Sequence, residues 1–140
     1  MGGCCWPAPL TGIPVWSLVQ TFSFSQFADA GTSKSILLYT LPKKGVIHGV
    51  ICKHSTKFEG GAITKVTASS GIIGDVDRFL TNFIVSTAPA NDNFGITHIL
   101  DSINFSISTA LQVTLKSTGG PLNTLTAGSV DFWLLLSAVN

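Results

Sequence analysis

Charge is what this sequence has least of. Only 11% of its 140 residues are Asp, Glu, Lys or Arg, against 45% hydrophobic, where an ordinary soluble domain carries roughly 25% charged residues. The eight basic residues are scattered and the formal net charge is +1, so no basic stripe supports direct nucleic-acid binding. Long apolar runs are missing as well. The longest covers residues 132–136, far short of the roughly 20 residues that span a bilayer as a helix. The first residues lack the basic flank and apolar core of a secretory signal. The sequence therefore predicts neither a nucleic-acid nor a membrane partner. Three cysteines, Cys4 and Cys5 adjacent and Cys52 alone, supply no disulfide framework and no paired metal spacing, which fits synthesis in a reducing compartment.

Chemistry-bearing side chains are equally sparse. The candidate groups are His48, His54, His98, Glu59, Asp75, Asp77 and Asp101. His48 and His54 are six apart in one strand-like run, about 20 Å at strand rise, so they cannot share an ion. Asp75 and Asp77 would make at most a weak cation site, and acids in a glycine-containing loop are usually solvated. No serine stands in a nucleophile elbow, and no glycine-rich loop opens a helix. Gly2 is not followed by Ser or Thr at position 6, which is Trp6, so the myristoylation pattern fails. The expectation is a non-enzymatic protein with no metal and no cofactor.

What the sequence does have is β alternation. Residues 36–41 and 46–52 are apolar runs around Pro42-Lys43-Lys44-Gly45, where proline presets φ and glycine can take a positive φ, so residues 35–54 read as a β-hairpin. Along its second strand Val46, His48, Val50 and Cys52 face one way and Ile47, Gly49, Ile51 and Lys53 the other. Residues 16–28 alternate with Trp16, Leu18, Gln20, Phe22 and Phe24 on one face. Residues 54–61 read as a turn-rich connection, 62–70 as a strand, and 71–77 as a tight connection. Residues 78–87 fit a strand or a helical turn. Residues 94–105 hold two short β-like pieces around Asp101, and 108–116 alternate with Leu111, Val113 and Leu115 on one face. Residues 128–139 are apolar on both faces and predict a central strand.

Seven or eight short strands, with no amphipathic helix longer than two turns, predict an all-β fold: a single-domain β-sandwich over residues 16–140, closed as a jelly roll. Residues 1–15 precede it with three prolines, three glycines and no charge. They predict an extended apolar arm whose Trp6, Leu10, Ile13 and Val15 order by lying on a partner. Strands apolar on both faces also predict a homo-oligomer, a trimer, with Val46, Val50, Trp133 and Leu135 as interface residues.

Two segments carry a resemblance. LPKKGVIHGVICKHSTKFEGGAIT, residues 41–64, and STGGPLNTLTAGSVDFWLLLSAV, residues 117–139, resemble a set of small tailed-phage proteins encoded among virion structural genes, over roughly residues 16–139. The resemblance implies a virion protein made in the host cytoplasm. By analogy with small phage β-sandwich proteins it implies a capsid decoration, or cement, protein on the outer capsid surface, bridging subunits of the major capsid protein. The alternative is a tail, neck or fibre module for assembly or for receptor or carbohydrate binding. Sparse tryptophan and a single tyrosine weigh against a sugar site built on stacking.

Overall fold

Glycine and proline clusters divide the chain into eight β-strands: β1 Val15–Ser23, β2 Ser33–Leu41, β3 Gly45–Glu59, β4 Lys65–Ile72, β5 Asp75–Ile84, β6 Gly95–Asn104, β7 Thr109–Thr118 and β8 Ala127–Ala138. The structure, a computed structural model, describes residues 15–43, 45–88, 95–104 and 108–138. Two one-turn 3-10 helices, Phe24–Phe27 and Leu122–Thr124, sit between strands. Four strands in the order β1-β8-β3-β6 form the first sheet, and four in the order β2-β7-β4-β5 form the second. The antiparallel pairs β1–β8, β2–β7, β3–β6 and β4–β5 belong to one long ribbon that turns back between β4 and β5. Rolling that ribbon brings β8 against β3 and β7 against β4, which is the jelly roll expected from the strand count.

Alternation supplies the core. On β7, Leu111, Val113 and Leu115 point inward as expected, and on β8 so do Val130, Phe132, Leu134 and Leu136; all are buried. Val66 and Ala68 of β4 face them from the second sheet, and Ile47, Val50 and Cys52 of β3 come from the first. β8 lies between β1 and β3, the central position predicted for it. One end is closed by rings packed edge to face: Phe132–Phe22 at 6.1 Å, Phe22–Phe27 at 5.7 Å and Phe27–Phe58 at 6.4 Å between centroids.

The expected hairpin over residues 35–54 is corrected. The turn forms, with the Gly45 N–H donating to the Pro42 carbonyl at 2.8 Å, but β2 pairs with β7 in one sheet and β3 with β8 and β6 in the other. Pro-Lys-Lys-Gly therefore links the sheets. Local turn chemistry is the same for a hairpin and for a sheet-to-sheet arch, and the choice is made by strands distant in sequence. The face assignment along β3 also changes. A bulge between Ile47 and Gly49 puts two residues where one would pair, so Ile47 and Val50, three apart, both point into the core.

Other differences follow from the same cause. Residues 54–59 are strand, so that β3 runs 15 residues. Further bulges between His54 and Thr56 and between Thr56 and Glu59 let it bend around the sandwich end. Residues 78–84 are strand, and the consecutive burial of Phe79 and Leu80, which mimics a helical pattern, comes from register shifts against β4. The tight connection expected over residues 71–77 shrinks to Ile73-Gly74, with Gly71 and Ile72 in β4 and Asp75 opening β5. Ser23 ends the strand predicted through residue 28. Its N–H donates to Gln26 Oε1 at 2.8 Å, and Phe24 enters the 3-10 turn.

Candidate assembly surface

The two outer faces of the sandwich differ chemically. On the second sheet the outward positions are mostly hydroxyl, amide and ammonium: Ser33 and Ser35 on β2, Gln112, Thr114 and Lys116 on β7, Lys65, Thr67 and Ser69 on β4, with Leu37 of β2 as an exposed apolar exception. Ser35 and Thr114 hydrogen bond through their hydroxyls at 2.7 Å. On the first sheet the outward positions of the two central strands include Ile51, Trp133 and Leu135, each half-buried, followed by Lys53 and Asp131. Trp133 pairs in register with Leu18 of β1 and Ile51 of β3, and Ile51 with Ile96 of β6. Leu135 pairs with Trp16 and with Gly49. An apolar band thus runs across β8 and β3, the two central strands of the sheet. It ends at a polar corner where the Thr21 hydroxyl donates to Asp131 Oδ1 at 2.7 Å and Asp131 pairs with Lys53.

The structure separates the four interface candidates. Trp133 and Leu135 lie on the outer face of β8. Val50 has no exposed surface and belongs to the core cluster, and Val46, outside that cluster, is 5% exposed, so neither offers much contact area to a neighbour. For Val50 the bulge at 47/49 is the physical reason. Ile51, which shares the outer face with Lys53, takes their place, and its signal was present in the sequence as the face opposite Cys52. Of the arm residues, Trp6, Leu10 and Ile13 lie outside the described residues, as do Cys4 and Cys5. Val15 opens β1 and pairs with Leu136, so the strand begins one residue inside the segment assigned to the arm.

The titratable groups do not converge. Among the described residues no three His, Cys, Asp or Glu side chains are grouped to hold a metal ion. No helix among them is long and apolar enough to cross a membrane. Asp75 and Asp77 are exposed on β5. His98 stands opposite Gly49 in register, and His48 occupies the bulge. His54, expected in a loop, is fully buried on β3. Its Nε2–H donates to the Thr87 carbonyl at 2.8 Å, and its ring packs edge-on against Phe83 at 5.8 Å. Nδ1 has no partner. His54 is thus a core polar group that ties the segment after β5 to the first sheet.

Cys52 is buried, and burial, with a lesser contribution from the Asp131 carboxylate, pushes its thiol far above the ordinary range. The native state therefore keeps a proton that the unfolded chain gives up. Stability is indifferent to this group below the ordinary thiol value of 9.0, then falls as pH rises above it, by at most about 1.4 kcal/mol per pH unit. Urea titrations at about pH 8, 9 and 10 should show that decline in the wild type, with a shallower one in Cys52→Ala. Identical slopes in the two proteins would mean that the thiol ionises without unfolding.

No family model matches the chain, and no curated protein matches it in sequence. Among solved structures it is similar to a chain of the cyanophage Pam1 capsid asymmetric unit, at 15% identity and a TM-score of 0.61, with 99% of this chain and 96% of that one covered. A chain of the acid-stable capsid of Helicobacter pylori bacteriophage KHP30 aligns at 10% identity and a TM-score of 0.39, over 91% of this chain and 99% of that one. The Pam1 likeness is one of fold, and it runs the length of both chains.

Proposed function

We propose that this chain is a virion structural protein: a capsid decoration protein that assembles as a homotrimer on the outer surface of a phage head and bridges subunits of the major capsid protein. The observation that carries the reading is the apolar band of Ile51, Trp133 and Leu135 on the outside of the first sheet, in a chain with 11% charged residues. A free monomer gains nothing by exposing such a band, whereas a subunit buries it. The fold shared with a chain of the Pam1 capsid asymmetric unit supports the same setting. The arm supports it from the other side. It joins the domain at Val15, on an edge strand of the first sheet, one residue from the position paired with Leu135. Trp6, Leu10 and Ile13 can each contribute roughly 1.5–3 kcal/mol when buried on a neighbour or on the major capsid protein.

Two variants test this. Trp133→Asp with Leu135→Asp should convert the trimer to a monomer in sedimentation while the circular dichroism spectrum stays that of a β-sandwich. Deleting residues 1–14 should leave the domain folded and abolish binding to particles that lack the protein. A wild type that sediments as a stable monomer at micromolar concentration would overturn the trimer. Undiminished binding by the truncated chain would move attachment from the arm to a face of the sandwich.

A further inference from the structure

The outer face of the second sheet holds a depression of about 390 Å³ whose lining includes Ser33, Lys65, Thr67, Asn82, Lys116 and Thr118. Nothing in its lining is acidic or aromatic. Lys65 pairs with Thr118 and Thr67 with Lys116 across β4 and β7, so the two lysines are diagonal neighbours on one face, with backbones roughly 7–8 Å apart. The ion pairs of the described residues are Lys34–Asp29 and Lys57–Glu59, which leaves both ammonium groups without a carboxylate. Both side chains are exposed and free to converge on an anion that lies between them.

Asn82 forms one wall and carries a backbone cost. Its φ of 46° is the only positive φ at a non-glycine among the described residues, a conformation that persists where its surroundings over-determine it and that concentrates at binding sites. Here Ser69 does the fixing. Its hydroxyl accepts from the Asn82 N–H at 3.0 Å and donates to Asn82 Oδ1 at 3.3 Å. Oδ1 thereby accepts one bond, and among the described residues the amide nitrogen has no hydrogen-bond partner. Thr67, although it faces outward, is only 9% exposed and forms the floor.

From these groups we infer that the depression binds an acidic saccharide, its sulfate or carboxylate group held between Lys65 and Lys116 and its hydroxyls hydrogen-bonded to Thr67, Thr118 and the Asn82 amide. The chemistry selects this class. Two cations call for an oxyanion, and a surround of hydroxyls and an amide calls for a ligand with many hydrogen-bonding groups. The lack of any aromatic ring removes the stacking platform that a single-stranded nucleic acid would use. The site lies on the sheet opposite the apolar band, so the inference stands apart from the assembly reading. Loss of the trimer with binding retained, or the reverse, tells the two apart.

Calorimetric titration of the full-length protein with a sulfated tetrasaccharide tests it, alongside the unsulfated tetrasaccharide, inorganic sulfate and a single-stranded DNA dodecamer. The sulfated sugar should bind, and binding should weaken as salt rises. Lys65→Ala with Lys116→Ala should weaken it by at least about tenfold with an unchanged thermal midpoint. Asn82→Gly, which keeps a residue suited to the positive φ but removes the amide together with its bond from Ser69, should weaken it severalfold. No binding of the sulfated sugar, or binding indifferent to the lysines, overturns the site. Equal affinity for inorganic sulfate overturns the sugar, equal affinity for the unsulfated sugar overturns the anion, and tighter binding of DNA reassigns the face to nucleic acid.

Discussion

Phe27→Ala should destabilise the domain by about 3–5 kcal/mol and lower its thermal midpoint by roughly 10 °C. Phe27 ends the 3-10 turn between β1 and β2, where the chain passes from the first sheet to the second, and its ring is fully enclosed. It stands edge to face with Phe22 at 5.7 Å and with Phe58 at 6.4 Å, so truncation removes both ring pairs as well as the buried area. Collapse into the cavity is opposed by the turn itself. Ser23 N–H is held by Gln26 Oε1, and Ala28 N–H by the Ser25 carbonyl. Phe24→Ala, in the same turn but half-buried, should cost much less, about 1 kcal/mol. Urea denaturation of the two variants reads the difference. Equal losses would show that helix-turn propensity, and not the enclosed ring, sets the cost.

Phe27 also shows where legibility stops. Residues 16–28 alternate well enough to read as one strand, and that period places Phe24 beside Phe22. Nothing in a period of two announces that the chain turns at Ser23 and sends Phe27 inward. The jelly roll itself was legible, because eight short strands punctuated by Gly, Pro, Asn and Asp leave few ways to bury their faces. The outward placement of Trp133 and Leu135 was legible for a similar reason, since alternation along β8 sets them opposite Phe132 and Leu134. Val50 was misplaced because one bulge shifts the phase of every residue beyond it, and bulges depend on partners remote in sequence. Lys116 falls on the face opposite Leu111, Val113 and Leu115, but Lys65 lies in another strand 51 residues away. Their juxtaposition depends on the β4–β7 pairing that only the rolled ribbon creates.

Gly128→Ala should cost about 3–5 kcal/mol, through two separable terms. Gly128 has φ 143°, and a Cβ there would lie 2.4 Å from Phe58 Cδ2 and 2.5 Å from Cγ. Backbone in this region costs a residue other than glycine about 1–3 kcal/mol. Forcing the ring aside adds about 1–3 kcal/mol, because Phe58 is enclosed and already packed on Phe27. The terms separate in a double-mutant cycle with Phe58→Ala, which removes Cγ, Cδ2 and Cε2, the ring atoms that meet the new methyl. In the Phe58→Ala background Gly128→Ala should cost only its backbone share, so the two changes should couple by at least about 1 kcal/mol in the favourable sense. Strict additivity would mean that the ring moves freely. The closure of that end of the sandwich by Phe132, Phe22, Phe27 and Phe58 would then be looser than its geometry implies, and the loss expected for Phe27→Ala should shrink with it.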